Sequence, residues 1–265
     1  MGVTDGTAQW LRDYLQAQPS LDAPQLNLLL RRLAIWRSTM IANTYVSRQG
    51  TVIGQGPFAG MDYVNAATEG ALAPRLLGAY ERELHPHIEA FAAEAFDCVI
   101  DIGCAEGYYA VGLARLMPST TVYAYDVNPR ARSACAQLAA RNGVSDRVVV
   151  RGEFDPAQFA SFAQGRCLVM VDAEGAEDDL LDPAVSPSLA GMSLIVETHD
   201  LFRPGTLARL RGRFAATHHI LMVEHQPNTT PLPPWLNELN HMDRLLAVWE
   251  WRSGPTPWLV MRPKV

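Results

Sequence analysis

Four acidic residues stand at or just after the ends of short apolar segments, where a parallel sheet would bring them to one edge. They are Asp101, Asp126, Asp172 and Glu197. Open parallel sheets bind their ligands at the carboxyl ends of the strands. One such acid is equally well explained as a helix N-cap, because Asp is favoured there. Four acids at four predicted strand ends favour a shared binding site.

The loop after the first of these strands is built from small residues and reads Asp101-Ile-Gly103-Cys-Ala105-Glu-Gly107. It lacks the G-x-G-x-x-G fingerprint of dinucleotide sites, and a carboxylate at the strand end would repel a pyrophosphate. An ammonium or sulfonium group suits it better. Asp126, 19 residues after Gly107, ends the next strand and can accept both hydroxyls of a ribose. A ribose with a cationic amino-acid tail describes S-adenosylmethionine.

Alternating strands and helices from residue 97 onward must position these acids. The predicted strands are 97–102, 121–126, 147–151, 167–172, 192–198, 218–225 and 257–263. The predicted helices are 108–117, 129–142, 156–164, 175–182, 205–214 and one near 235–248. This alternation predicts an α/β fold with a largely parallel sheet and helices on both faces.

The first 94 residues follow a different pattern. Helices are predicted at 6–18 and 24–42, a glycine-rich loop at 48–64, and one or two helices at 74–94 with a break near Gly78 or Pro86. We divide the chain into an N-terminal helical cap with its connecting loop (1–94) and a sheet domain (95–265). Because that sheet is complete without residues 1–60, we expect their deletion to leave a folded domain that binds its ligand weakly. Candidates to close over the site are Arg48, Gln55, Phe58, Met61, Tyr80 and Glu81.

Composition narrows the function classes. The chain has 265 residues and a formal net charge of −6, which disfavours a nucleic-acid partner. Its four cysteines form no C-x-x-C pair, so neither a zinc site nor a disulfide framework is indicated. No apolar run reaches the roughly 18 residues that a membrane span needs, and no signal peptide is recognisable. We therefore expect a cytoplasmic enzyme with no membrane partner. The N-terminal helices could equally form a packing pair or the surface of a homodimer.

The loop at 101–107, Asp126 and Asp172 together resemble the class I S-adenosylmethionine-dependent methyltransferases, over about residues 97–263. The segments "DAEGAE" (172–177) and "IVETHD" (195–200) are similar to the D-x-E-G-x-E signature and the following acid and histidine of the FkbM-like branch. The resemblance implies a Rossmann-like seven-stranded methyltransferase sheet and O-methylation of sugars or natural products. Ala105 stands where the family usually has a glycine, and its small side chain should preserve binding.

The resemblance also implies roles for individual residues along the cofactor. Asp101, Gly103, Ala105 and Gly107 would line the methionine end, and Asp126 would hold the ribose. Val127 and Glu153 would lie beside the adenine, and Asp172 would face the methyl group.

His199 is the main candidate for chemistry, together with Glu174 and Glu197. It lies two residues after Glu197, beyond a predicted strand end. An imidazole with an ordinary pKa of about 6.5 can take a hydroxyl proton at neutral pH. Asp172, Glu197 and His199 could instead chelate a divalent cation, since carboxylates and imidazole suit several such metals. A lone histidine is also often only structural, so all three interpretations stay open.

Three other functions compete with methyl transfer to a small-molecule hydroxyl. The same cofactor could donate or cyclise its aminocarboxypropyl chain. The chain could be a non-catalytic cofactor-binding partner of another enzyme. A nicotinamide-dependent oxidoreductase is disfavoured by Asp101 and by the missing glycine fingerprint.

Overall fold

The computed structural model of the protein describes residues 2–18, 20–65, 67 and 70–264. Within these residues the strands form one seven-stranded sheet in the order β3-β2-β1-β4-β5-β7-β6. The strands are β1 (Cys98–Ile102), β2 (Thr121–Tyr125), β3 (Val148–Arg151), β4 (Cys167–Val171), β5 (Ser193–Glu197), β6 (His218–Val223) and β7 (Trp258–Pro263). This is the Rossmann-like architecture of methyltransferases, and it confirms the predicted fold class.

The central strands are short, apolar and buried on both faces. Every residue of β1, β4 and β5 is buried, as expected for a parallel sheet that is covered by helices on each side. β1 pairs in parallel with β2 and β4, and β4 with β5. β7 is inserted antiparallel between β5 and β6. The ends of β1, β2, β4 and β5 therefore meet at one edge of the sheet.

Helices follow most of the strands of the sheet. They are α5 (Tyr108–Leu116), α6 (Pro129–Arg141), α7 (Glu177–Leu180), α8 (Thr206–Phe214), α9 (Pro234–Asn237) and α10 (His241–Ala247). Two differences from the predictions appear. The segment after β3 forms a 3-10 helix, Pro156–Phe162. The helix predicted near 235–248 is two short helices, and the second starts afresh because Asn240 caps its first turn.

The N-terminal segment contains α1 (Val3–Ala17), α2 (Ala23–Gln49), α3 (Leu72–Leu77) and α4 (His85–Ala92). α2 starts at a capping box formed by Asp22 and Gln25 and runs seven residues beyond its predicted end. The predicted break near Gly78 is confirmed. Gly78 has φ +64°, and a Cβ there would lie 1.9 Å from the carbonyl oxygen of Gln55, so only glycine fits.

One hydrophobic core joins this segment to the sheet domain. Ile41 and Phe58 belong to the same buried cluster as Val99 of β1. The Phe58 ring packs on Gly112 of α5, where a Cβ would approach within 2.5 Å of it. The ring also lies edge-on to Tyr108, with 5.1 Å between ring centroids. Cutting the chain at residue 60 would expose this core, which argues against the expectation that the remainder folds alone.

None of the helices within the described ranges is long and apolar enough to cross a membrane.

Candidate functional site

The loop after β1 approaches the end of β4 so closely that only glycine fits at Gly103. Its φ is +87°, and a Cβ there would lie 1.7 Å from the carbonyl oxygen of Asp172. Ala105 has φ +46°, a left-handed conformation that costs a non-glycine residue about 1 kcal/mol or more. This explains why a glycine would be favoured at that position. In this backbone conformation the N–H of Ala105 points toward the end of β2.

Asp126 receives that N–H and fixes the geometry at the end of β2. Its Oδ2 accepts a hydrogen bond from Ala105 N at 2.9 Å, and its Oδ1 accepts one from Asn128 N at 2.7 Å. A carboxylate has about four lone-pair sites, so two acceptor positions stay available to a ligand. Val127, next to it, is 73% exposed.

Two cavities of about 340 and 300 Å³ open at this edge of the sheet. Gly103, Asp172 and Glu174 line both of them, so the cavities adjoin. The first, which we call the Asp126 cavity, is further lined by Ile102, Tyr125, Asp126, Val127, Gly152, Glu153, Phe154, Ala173, Ala176 and Leu180. The second, which we call the His199 cavity, has Arg75, Tyr80, Ala105, Glu197, His199, Trp251 and Arg252 among its lining residues.

Asp101 lies beneath the loop and is 2% exposed. Its Oδ2 has no hydrogen-bond partner among the residues that the structure describes. Burial, helped by the nearby charge of Asp126, raises the pKa of Asp101 to about 7. Within the described ranges no basic side chain forms an ion pair with this carboxyl group, which leaves it suited to a cationic ligand group.

His199 is buried, and each of its ring nitrogens faces carboxylates. Nδ1 lies 2.7 Å from Oε1 of Glu177. Nε2 lies 3.6 Å from one oxygen each of Asp172, Glu174 and Glu197. Burial alone would lower the pKa of His199, but the hydrogen bond to Glu177 and the surrounding carboxylates raise it overall.

Glu177 holds the imidazole in place. Its Oε1 also accepts hydrogen bonds from Gly175 N at 3.0 Å and Ala173 N at 3.3 Å. A carboxylate on one ring nitrogen fixes the tautomer and leaves the other nitrogen available for a proton or a metal. Nε2 is therefore the ring nitrogen of His199 that could take a proton or bind a metal ion.

Three of these side chains could hold a cation. One ligand atom each from Asp172, Glu174 and His199 lie within 4.8 Å of one another. Glu174 reaches this position through a left-handed backbone, with φ +49°. Strain of this kind persists where the surrounding structure imposes it and often marks a functional site. Burial and the charges of Glu197 and Glu81 raise the pKa of Asp172, so the cluster is short of positive charge.

Glu197 is tied to an arginine on the other side of the cavity. Arg252 pairs with Glu197, with Glu81 at 2.9 Å and with Glu250 at 2.8 Å. Burial, together with repulsion from Glu197, raises the pKa of Glu81 to about 8. Glu197 therefore pairs with Arg252 and also belongs to the group of carboxylates around His199.

The remaining predicted residues fall into two groups. Gly103, Ala105, Val127, Glu153 and Asp172 line the cavities. Asp101 and Gly107 are absent from the described lining of both. A Cβ at Gly107 would lie 2.8 Å from Sγ of Cys135, so the absence of a side chain there allows α5 to pack on α6.

Most predicted cap residues serve other contacts. Phe58 and Met61 are buried in the core. Arg48 stacks on Trp235, and Gln55 donates to the carbonyl oxygen of Pro231. Of the six candidates, which all lie within the described ranges, Tyr80 is the one that lines the His199 cavity. The four candidates in segment 48–64 contact other parts of the chain because this segment packs into the core. Glu81 does not line the cavity itself but pairs with Arg252, which does.

Sequence reasoning assigned no role to Glu177, Arg75 or Arg252. Glu177 is the last acid of the "DAEGAE" stretch, so the motif itself contained the signal. Arg75 and Arg252 come from segments far from the site in sequence, and no local pattern around them indicates a role.

Comparisons with known proteins give likeness in fold alone. No family model matches the chain, and no curated protein sequence matches it. An O-methyltransferase from Bacillus cereus, solved in complex with SAH, is 10% identical with a TM-score of 0.48, over 97% of this chain and 100% of that one. The O-methyltransferase TomG from Streptomyces achromogenes, involved in tomaymycin synthesis and solved with SAM, is 13% identical with a TM-score of 0.47, over 68% and 81%. An rRNA methylase from Streptococcus thermophilus is 17% identical with a TM-score of 0.46, over 70% and 98%. At such values these likenesses assign neither activity nor substrate.

Proposed function

We propose that this chain is a class I S-adenosylmethionine-dependent methyltransferase of the FkbM-like type, acting on a hydroxyl of a sugar or natural-product small molecule. One observation carries the proposal. The Asp126 cavity and the His199 cavity adjoin at Gly103 and Asp172. A carboxylate suited to ribose hydroxyls and a buried imidazole therefore line neighbouring cavities that share three residues.

The described residues fit this cofactor. Asp126 keeps acceptor positions for ribose hydroxyls, and Val127 and Glu153 line the same cavity, where an adenine would bind. Gly103 lets the loop after β1 pack against the end of β4, and it lines both cavities. Asp101 offers an ammonium group a buried carboxyl oxygen that accepts no hydrogen bond from any described residue. The proposed cofactor site thus uses the predicted residues apart from Gly107.

At the reactive end, S-adenosylmethionine supplies an already activated methyl group. The protein must then orient the acceptor and remove its proton. The rate enhancement comes from these two contributions. Nε2 of His199 opens toward the space between Asp172, Glu174 and Glu197, while Glu177 holds Nδ1. We assign Nε2 as the base that takes the proton of the acceptor hydroxyl. Glu174 and Glu197 are the remaining base candidates.

A divalent cation would change the role of His199 from base to ligand. The donor set fits: one imidazole nitrogen and two carboxylates lie within ligand distance of one another, and the imidazole has a carboxylate on its other nitrogen. Asp172, Glu174 and His199 would be the ligands, with Glu197 at the edge because Arg252 holds one of its oxygens. A hydroxyl bound there would lose its proton more readily.

The proposal also covers partners and organisation. A net charge of −6 and acids around the His199 cavity favour a small-molecule acceptor over a nucleic acid. Residues 95–265 would be the catalytic domain and 1–94 an appended segment that completes its core, in a cytoplasmic protein. A homodimer through the N-terminal helices is compatible with the exposed leucines of α2.

Product analysis tests the activity. The protein is incubated with S-adenosylmethionine and a panel of sugars and hydroxylated natural products, with and without Mg²⁺ or Mn²⁺, and the nucleoside product is identified by mass spectrometry. Acceptor-dependent formation of S-adenosylhomocysteine supports methyl transfer. Methylthioadenosine as the product would instead show transfer or cyclisation of the aminocarboxypropyl chain. Methylation of an rRNA transcript in a parallel arm would overturn the small-molecule assignment.

A further inference from the structure

Two aromatic residues of the His199 cavity have no role in the proposed proton transfer or metal binding. Phe202 and Trp251 both line this cavity. Phe202 is 60% exposed, and Leu201, which also lines the cavity, is 58% exposed. Large apolar side chains that stay exposed side by side at a cavity are typical of a surface that binds a ligand.

Phe202 packs directly on the imidazole of His199. The two rings stack with 5.8 Å between their centroids and 21° between their planes. The N–H groups of Phe202 and Arg203 both donate to the carbonyl oxygen of His199, at 3.0 and 2.9 Å, so the turn after β5 fixes this arrangement. A ring-sized molecule that contacts Phe202 inside the cavity would therefore also lie beside His199.

The loop before β7 is tied to this turn. Thr198 donates to the carbonyl oxygen of Pro257 twice, through its N–H at 3.0 Å and through its hydroxyl at 2.7 Å. A Cβ at Gly254 would lie 3.8 Å from Cδ2 of Leu201, so the two loops also meet there. Phe202 and Trp251 thus come from two connected loops that line one cavity.

Trp251 has a backbone conformation that bulky residues rarely adopt, with φ +64°. Arg31 of α2 holds the loop in this conformation. Its guanidinium donates to the carbonyl oxygens of Trp251 and Arg252, and it lies over the ring of Trp249, 5.5 Å from the centroid. Strain of this kind persists where the surrounding structure imposes it, and it clusters at ligand sites. Arg31 thereby links the N-terminal segment to the cavity.

Resting on the proposed function, we propose that Phe202 and Trp251 form the acceptor subsite, and that this subsite takes an acceptor whose hydroxyl is carried by a ring with an apolar face. An aromatic ring and the C–H face of a sugar ring both have such a face. The ring would pack against the two aromatic side chains and present its hydroxyl to Nε2 of His199. Arg31 is a positioning residue that acts on the acceptor through Trp251.

Acceptor binding to the full chain saturated with S-adenosylhomocysteine tests this. The probes are 2-naphthol, methyl β-D-glucopyranoside and glycerol, which carry their hydroxyls on an aromatic ring, a sugar ring and an acyclic chain. Ligand-observed NMR gives the dissociation constants. Wild type should bind at least one ring probe more tightly than glycerol. Phe202→Ala should weaken that probe by about tenfold, and Phe202→Leu, which keeps an apolar side chain, by about two- to fivefold.

Two further variants test the positioning role and the specificity of the effect. Arg31→Gln should weaken the same ring probe by less than Phe202→Ala does. Affinity for S-adenosylhomocysteine should be unchanged, because the Asp126 cavity is intact. Phe162→Leu is the matched control. Phe162 packs on Tyr123, with 5.0 Å between ring centroids, and is absent from the described lining of both cavities, so this variant should bind the ring probe as wild type does.

The outcomes separate the inference from the proposed function. A wild type that does not bind S-adenosylhomocysteine contradicts the proposed function. If it binds S-adenosylhomocysteine but prefers neither ring probe to glycerol, or if Phe202→Ala keeps wild-type affinity for the ring probe, only the acceptor subsite is overturned. Preference for 2-naphthol supports an aromatic acceptor, and preference for the glucoside supports a sugar. Wild-type affinity in Arg31→Gln overturns the positioning role. Should Phe202→Ala not fold, Phe202→Leu decides in its place.

Discussion

The ends of β2 and of β4 and β5 occupy the same edge of the sheet but are built in opposite ways. At the end of β2, two backbone N–H groups, from Ala105 and Asn128, bind the Asp126 carboxylate. At the ends of β4 and β5, carboxylates outnumber the donors around His199, and burial with like charges raises the pKa of Asp172. The first arrangement is preorganised and electrostatically satisfied. The second is short of positive charge.

Under the proposed function, this difference assigns binding to the end of β2 and chemistry to the ends of β4 and β5. A satisfied carboxylate is a stable acceptor for ligand hydroxyls, and it changes little when the ligand arrives. A crowded acidic cluster around one imidazole is destabilising unless a proton or a cation enters it, which is the condition of a proton-transfer or metal site.

The largest effect is expected from His199→Ala. Loss of a general base lowers turnover by about 10²–10⁴-fold, whereas affinity for S-adenosylhomocysteine should hardly change because the Asp126 cavity is intact. Steady-state kinetics and calorimetry on the same preparation measure both quantities. His219→Ala, at an exposed histidine of β6, is the control.

Chelation then distinguishes the two roles of His199. As a metal ligand it would give a wild-type activity that vanishes with EDTA and returns with a divalent ion. As a base it would leave wild-type activity insensitive to chelator. Near-normal turnover of His199→Ala together with chelator-resistant wild type would return His199 to a structural role.

A smaller effect is expected from Glu177→Gln. The amide removes the negative charge beside Nδ1 of His199. Turnover should therefore fall by about 10–100-fold, as for other groups that orient a functional histidine. The pKa that governs the acidic limb of the pH–rate profile should fall as well, because Glu177 raises the pKa of His199. Asp179→Asn, at an exposed neighbour paired with Arg203, should leave the profile unchanged. A profile that is the same in Glu177→Gln and wild type would contradict the positioning role.

The smallest effect concerns Asp101 and pH. Its pKa of about 7 means that the carboxyl is largely protonated below that pH in the free protein. An ammonium group binds the ionised form, so affinity for S-adenosylhomocysteine should rise by up to about tenfold per pH unit until pH 7 and then level off. Titrations between pH 6 and 8 should show this slope in wild type and a flatter one in Asp101→Asn. Equal slopes in the two proteins would remove Asp101 from the cofactor site.

The fold could be predicted because its signals are local. The apolar segments at 98–102, 167–171 and 193–197 are short, β-branched and followed by turns, and each forms a strand. The strand ends then bring Asp172, Glu197 and His199 together as expected, because parallel strands in register end at one edge.

Features that depend on distant packing were missed. Gly107 is one of the motif glycines, but it packs against Cys135 of α6, and no sequence pattern indicates that contact. Phe58 looked like a cap residue but fills the space over Gly112, a pairing that only the folded chain reveals. Arg75 and Arg252 likewise reach the site from α3 and from the loop before β7. Both arginines pair with carboxylates that are distant from them along the chain, so the sequence around each arginine does not indicate the pairing.

Calorimetric titration with S-adenosylhomocysteine and with NAD⁺, in wild type and Asp126→Ala, tests the central claim most directly. Wild type should bind S-adenosylhomocysteine and prefer it over NAD⁺. Asp126→Ala should leave the ribose hydroxyls unpaired and cost about 1–3 kcal/mol, roughly ten- to a hundredfold in affinity. Unchanged affinity in Asp126→Ala would contradict the ribose assignment, and preferential binding of NAD⁺ would contradict the proposed class of enzyme.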